Sequence, residues 1–278
     1  MSKTFIVADS IGYLTSNYVE DNKEYLEIVP LTAHIGQYDF VDDLSETKRF
    51  YEILTSTKER PTTSQPPVAA FKKVFIEKLS LGYEIVCITI SSKFSGTFNS
   101  ALTAANEVGK DKVYVLDSKA IVGAETYMIK YAVQKAREGE PAKKIFEELT
   151  GIVPRMKLYF VPDSLEFLHR GGRIGGAAAL FGSILQIKPV LTMVDGAIEV
   201  VEKIRTFNKA FEKLYELIPV DAVWAGVVEF YARDAAIKMQ AKLKEKLKRD
   251  DIEIHSVGPV IGSHIGPGAL GTVYLAKD

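Results

Sequence analysis

A chain of 278 residues that is 47% hydrophobic and 26% charged can bury a sizeable core, in one large or two medium domains. Lys and Arg total 35 against 36 Asp and Glu, so no global basic field draws the chain to nucleic acid or an anionic membrane surface; a local basic cluster stays open. The single cysteine, Cys87, excludes a disulfide scaffold or a cysteine zinc site within one chain, no apolar stretch approaches the ~20 residues of a transmembrane helix, and the N-terminus lacks a signal-peptide core, which points to a cytoplasmic protein.

Residues 3–8 form the first short apolar run and read as a buried strand. A helix is expected to begin near Pro66 and Pro67, with Thr63 or Ser64 as its cap, because proline is tolerated in a first turn. Val68, Phe71, Phe75 and Leu79 share one face of it, and Gly82 can end it. Residues 85–90 are the next strand, with Cys87 as a buried thiol inside it. Ser95-Gly96-Thr97 then opens a helix through Ala101 and Ala105 that Gly109 terminates. After a strand at 113–116, Tyr127, Met128, Tyr131 and Ala132 mark a helical face; Gly139 stops that helix and Pro141 starts another toward Val153.

Beyond about residue 155 the pattern changes. Residues 158–161 and 223–228 read as strands, but 189–194 and 197–204 are two strand-like runs joined by Asp195-Gly196, whose tolerance of positive φ suits a type I′ hairpin. Helical segments at 208–217 and 234–247 follow, then a Gly-rich stretch and a final strand at 272–276. The fold class is therefore α/β, with a parallel-sheet domain at 1–155 and an α/β domain containing an antiparallel hairpin at 156–278.

Several enzyme motifs are absent. There is no G-x-S-x-G nucleophile elbow, Gly109-Lys110 continues into Asp111 rather than Ser or Thr, and the four histidines form no H-E-x-x-H. Residues 266–271 match G-x-G-x-x-G as a string, yet only seven residues remain after them and these look like a strand, so a turn needing unusual φ/ψ is the better reading.

Two hydroxyl-dense stretches, Thr62-Thr63-Ser64 and Ser91-Ser92 with Ser95-Gly96-Thr97, precede expected helix N-termini. They could hold a carboxylate or phosphate or serve as ordinary caps. In the second half, Arg170, Arg173, Lys188, Lys203 and Arg205 lie around Gly-rich turns, as an anion site or as a solvated edge. Residues 177–185 are apolar and small and could line a cavity or pack the core.

In order along the chain, Asp9-Ser10, Thr63-Ser64-Gln65-Pro66, Ser91-Ser92, Ser95-Gly96-Thr97, Asp117-Ser118, Gly171-Gly172-Arg173-Ile174, Ile187-Lys188-Pro189, Lys203 with Arg205, and His264-Ile265-Gly266-Pro267-Gly268 resemble the DegV family of bacterial fatty-acid-binding proteins. The sequence departs from that pattern at Tyr13, Pro67, Phe94 and Gly175, and the Phe94 change lies next to Ser95. The resemblance implies a two-domain α/β protein that buries one long-chain fatty acid and has no cofactor, no metal and no catalytic residue of its own. Carried over by position, Thr63 and Ser95 look like carboxylate ligands, and Arg170, Arg205 and His264 look like mouth residues facing the head group or a partner. That partner is implied to be a separate ATP-dependent kinase of the dihydroxyacetone-kinase type, which makes acyl phosphate for phospholipid synthesis. A free-standing small-molecule phosphotransferase or kinase is the alternative, since the glycines and cations of the second half could serve phosphate. A regulatory module whose pocket is only structural is a third reading.

Overall fold

A computed structural model describes residues 3–109, 111–182 and 187–277. The first half begins with β1 (Lys3–Asp9), α1 (Ser16–Asp21), β2 (Leu26–Val29), β3 (Thr32–Ile35), β4 (Tyr38–Val41) and α2 (Thr47–Ser56). It continues with β5 (Thr62–Ser64), α3 (Val68–Ser80), β6 (Tyr83–Thr89), α4 (Thr97–Val108), β7 (Val113–Asp117), α5 (Gly123–Arg137) and α6 (Ala142–Ile152). Strands β2-β1-β6-β7 form an all-parallel sheet. Its central strands are buried along almost their whole length because helices cover both faces. Phe5, Val7, Ile85 and Cys87 pack with Phe71, Phe75 and Ala101 on one face. Ile6, Ala8, Val86 and Ile88 point the other way, toward Met128, Ile129 and Ile145.

The second half contains β8 (Met156–Val161), α7 (Glu166–Arg170), β9 (Val190–Val194), β10 (Ala197–Glu202), α8 (Phe207–Glu216), β11 (Trp224–Phe230), α9 (Arg233–Leu247), β12 (Glu253–Ser256), α10 (Pro259–Ile265) and β13 (Ala269–Leu275). Its mixed sheet has the order β10-β9-β8-β13-β11-β12, in which only β11 and β12 run parallel. Asp195 at φ 47° and Gly196 at φ 83° turn the β9–β10 hairpin as its sequence predicts. Helices α8 and α9 bury one face with Ala210, Leu214, Met239 and Leu243. The other face, with Leu158, Phe160, Leu191 and Ile198, joins the same apolar core as α5 and α6 of the first half. One core thus runs between the two large sheets.

A small antiparallel sheet, β4-β3-β5, belongs to the first half and carries Thr63. It corrects the expectation that Thr63 or Ser64 caps a helix. Thr63 pairs with Ala33 and Ser64 with Thr32, and the helix begins only at Val68. The physical reason is Pro66-Pro67: each proline disfavours the helical region for the residue before it, so the chain stays extended until they are passed.

The Gly-rich stretch is a turn, with Gly266 at φ 70° and Gly268 at φ 86°, and it leads into strand β13 rather than a helix. That strand starts at Ala269, earlier than its apolar run suggests. Within 177–185, Ala177 and Leu180 are buried in the shared core, and Leu185 lies outside the described residues. Among the described residues no helix is long and apolar enough to cross a membrane.

Candidate functional site

Thr63 and His264 come from opposite halves of the chain, and Thr63 Oγ1 lies 2.9 Å from His264 Nε2. His264 sits in the last turn of α10, and its other ring nitrogen, Nδ1, is fully enclosed without a hydrogen-bond partner. Gly171, just past α7, makes that enclosure possible: a Cβ there would lie 2.3 Å from Nδ1. Burial, with the nearby Arg173 guanidinium as second cause, lowers the His264 pKa to about 4, so the ring is neutral at neutral pH. We assign its proton to Nε2. An enclosed N–H with no acceptor is the costlier orphan, which leaves the lone pair on Nδ1. His264 then donates to Thr63, whose own hydroxyl proton is left over.

Ser95 shows the same logic at the start of α4. Its Oγ accepts from Thr97 N at 3.3 Å and lies 2.8 Å from the hydroxyl of Thr97. Thr97 is fully buried, and its hydroxyl is bonded, among the described residues, only to Ser95. Thr97 therefore donates, and the Ser95 proton is also free. Gly96, the cap residue, supplies no side chain to the first-turn N–H groups, so the Ser95 hydroxyl on Thr97 N is the side-chain bond at the positive end of this twelve-residue helix among the described residues.

Two side chains close the circuit between these hydroxyls. Gln65, two residues beyond Thr63, donates to Ser100 in the first turn of α4 at 2.9 Å and lies over Gly96. Arg173 donates from Nε to Phe94 O at 3.1 Å and from Nη1 to Gly171 O at 2.6 Å, tying the Ser95 turn to the segment that packs on His264. Thr63, Ser95, Gly96, Gly171, Arg173 and His264 are each half-buried. Their chain neighbours Leu168, Ile174 and Ile265 belong to the shared core.

The remaining cations are dispersed. Arg170 is exposed and ion-paired with Glu166 on its own helix, and Lys188 pairs with Asp163. Arg205 is exposed in the connector before α8, where no hydrogen bond or ion pair among the described residues joins it to Thr63, Ser95 or His264. Lys203 is exposed as well.

A cavity of about 480 Å³ lies between the end of β7 and the β9–β10 hairpin, lined in part by Leu116, Ala120, Leu158 and Met193. The Ser91 hydroxyl donates to Gly196 O at 2.8 Å, which ties this hairpin to the turn leading to Ser95. Ser91 N also donates to Ala120 O.

The sequence assigns no individual role to Gln65 or Arg173, and of a second polar cluster it shows only Asp9-Ser10, as part of a pattern and without the carboxylates they meet. Asp9, Asp42 and Glu125 are buried, and burial raises Asp9 to about 6, Asp42 to about 7 and Glu125 well above the usual carboxylate range. Glu125 had a readable signal, a carboxylate on a helix face with Ile129 and Ala132. Asp42 had none.

A parallel and a mixed sheet joined through one core define the chain as a two-sheet α/β protein. The chain belongs to the DegV family, whose model, described as "Uncharacterised protein, DegV family", matches residues 3–277. A DegV domain-containing protein of Halalkalibacterium halodurans is 34% identical over the whole of both chains. Among solved structures, DegV of Bacillus subtilis, described as a fatty acid binding protein, is 32% identical with a TM-score of 0.87 over all of both chains. A DegV family protein from Thermus thermophilus, described by its fatty acid binding, is 28% identical with a TM-score of 0.89, covering 99% of this chain and 100% of that one.

Proposed function

We propose that this protein binds one long-chain fatty acid, with its carboxylate at Thr63 and Ser95 and its tail in the apolar layer between the two large sheets, and presents it to a separate ATP-dependent kinase. The observation that carries this reading is the pair of half-buried hydroxyls, Thr63 Oγ1 beside His264 Nε2 and Ser95 Oγ beside Thr97 Oγ1; with those partners donating, as assigned above, each hydroxyl keeps a proton for a ligand oxygen. Fatty acid binding by the relatives from B. subtilis and T. thermophilus supports the same ligand class.

The division of labour follows from magnitudes. At about 0.8 kcal/mol per methylene, a chain of roughly sixteen carbons offers on the order of 10 kcal/mol of gross burial, so the tail supplies the affinity. The cavity of about 480 Å³ falls within the usual range of ligand sites, but its lining mixes Ala120 and Met193 with Asp117, Lys119, Lys157 and Asp195 and includes neither Thr63 nor Ser95, so the tail's place in the apolar layer rests on the shared core alone. Two neutral hydroxyls and a helix N-terminus grip the head group without neutralising it. A carboxylate oxygen then remains able to attack the γ-phosphorus of ATP held by the partner, with ADP leaving. Exposed Arg170 and Arg205 are the residues we assign to the partner or its phosphates, and their exposure supports that role.

The test is to extract the purified protein and identify any acyl chain by mass spectrometry, then to add ATP and fatty acid with and without the kinase. We expect a co-purified or exchangeable long-chain acid, and acyl phosphate only with the partner. No bound or exchangeable acid overturns the binding reading, and turnover by the chain alone overturns the presentation reading. Arg205→Ala is expected to bind lipid normally and to lower acyl-phosphate formation severalfold; full production would remove Arg205 from the interface.

A further inference from the structure

We infer that Tyr13 and Asp42 are positioning residues for His264, clamping the N-terminal end of α10 so that the ring one turn later is held against Thr63; this rests on Thr63 and His264 serving the head group. The N-cap of α10 is Gly258, which has no side chain to offer. Its capping comes instead from the other end of the chain. Asp42 Oδ1 accepts from Val260 N at 2.8 Å, and the Tyr13 hydroxyl accepts from Ile261 N at 3.0 Å while donating to Asp42 Oδ1 at 3.1 Å. Ser10 donates to the second Asp42 oxygen at 2.7 Å.

The placement of these groups makes the clamp more than an ordinary cap. Asp42 directly follows β4, and β4 belongs to the same three-stranded sheet as β5, which carries Thr63. Helix α10 is therefore fastened twice to one small sheet: at its start through Asp42 and at its end through His264 and Thr63. His264 is four positions beyond Val260, about 6 Å of helix, so a shift at the first fastening has little length over which to relax. The sheet acts as a ruler for the imidazole.

Tyr13 is held in its role from both sides. Its backbone is left-handed, at φ 42° and ψ 52°, a conformation that side-chain-bearing residues adopt only when the surroundings dictate it. Its ring lies against Gly258, where a Cβ would come within 2.3 Å of Cε1. Tyr13 and Asp42 are 6% and 3% exposed, so solvent cannot readily replace the bonds they make.

The decisive variant is Tyr13→Phe, which keeps the ring and removes only the oxygen. In ligand-free protein with labelled histidine, the ring ¹⁵N–¹H correlations of His264 report its tautomer and its bond to Thr63 without any lipid. We expect those signals to shift in Tyr13→Phe while thermal unfolding stays cooperative, and affinity for a sixteen-carbon acid to fall about 5- to 10-fold, the loss of one hydrogen bond's worth of ordering. The loss should disappear when Tyr13→Phe is made in a His264→Ala background. Should Tyr13→Phe fail to fold, Gly258→Ala, which pushes the same ring, is expected to give the same signal shift. An unchanged His264 spectrum in a folded variant, or an affinity loss that persists without His264, overturns the inference. If the wild type binds no acid, the functional reading fails while the histidine spectrum still decides the positioning.

Discussion

The two ends of α10 are both polar and both sheltered, yet they do different work. At its start, the carboxylate of Asp42 accepts from Val260 N, the Tyr13 hydroxyl and Ser10, and the Tyr13 oxygen accepts from Ile261 N, so the bonding of both groups goes to backbone and to each other. At its end, with His264 as donor, the proton of Thr63 remains unspent, as does that of Ser95 beside Thr97 at the start of α4. Burial of polar groups is common to scaffold and site; spare hydrogen-bonding capacity at a half-buried position distinguishes the site. The electrostatics differ in the same sense. Burial lifts Asp42 to about 7, and it drops His264 to about 4.

The comparison breaks most directly at the site end. Replacing both Thr63 and Ser95 by Ala is expected to weaken long-chain fatty acid binding about 10- to 100-fold, two hydrogen bonds to a charged group, with the unfolding transition in place. Titration calorimetry or a fluorescent acid reads this; unchanged affinity would send the carboxylate elsewhere. Gly171→Ala should act next most strongly. The backbone there, at φ −76°, accepts alanine, so the substitution tests chiefly the clash of its Cβ with His264 Nδ1 at 2.3 Å, the next contact being Phe167 O at 3.2 Å. About a tenfold loss of affinity is expected, and normal binding would mean that His264 has room to move and is not part of the grip.

Much of this was legible in the sequence, and what was not has a physical cause. Eight of the ten strands of the two large sheets, the type I′ turn at Asp195-Gly196 and the helix after Ser95 follow from local patterns, because buried strands and turns leave their signatures in adjacent residues, whereas the four-residue edge strands β2 and β12 are too short and too mixed in burial to show one. Thr63 stands out by its residue type yet looks like a cap, since a three-residue strand with alternating exposed and half-buried positions has no period to read and Pro66-Pro67 imitates a helix start. Arg173 was visible only as one of five cations, and its bonds to Phe94 O and Gly171 O depend on a long-range meeting of two loops. Asp42 was invisible for the same reason, its partner Val260 lying 218 residues away.

The scaffold end yields the smallest effect and the sharpest sign. Asp42 in the folded protein holds its proton up to about pH 7, against an ordinary value of 3.8, through burial that outweighs the hydrogen bonds it accepts. Its contribution to stability is therefore fully present below about pH 4 and is lost as pH rises through 7. Asp9, raised to about 6, acts in the same direction. His264 and the buried His255 of β12, both lowered to about 4 by burial, act oppositely: their contribution is present above about 6.5 and is lost as pH falls toward 4. Between pH 6 and 8 the carboxylates dominate, and the melting temperature of the wild type should fall by several degrees, reflecting a few kcal/mol at most. Asp42→Asn keeps one oxygen for Val260 N and the Tyr13 hydroxyl but cannot ionise, so its melting temperature should fall measurably less over that interval. Parallel pH profiles for the two proteins would show that Asp42 is ionised throughout, and that the start of α10 is held by a charge rather than by a neutral acid.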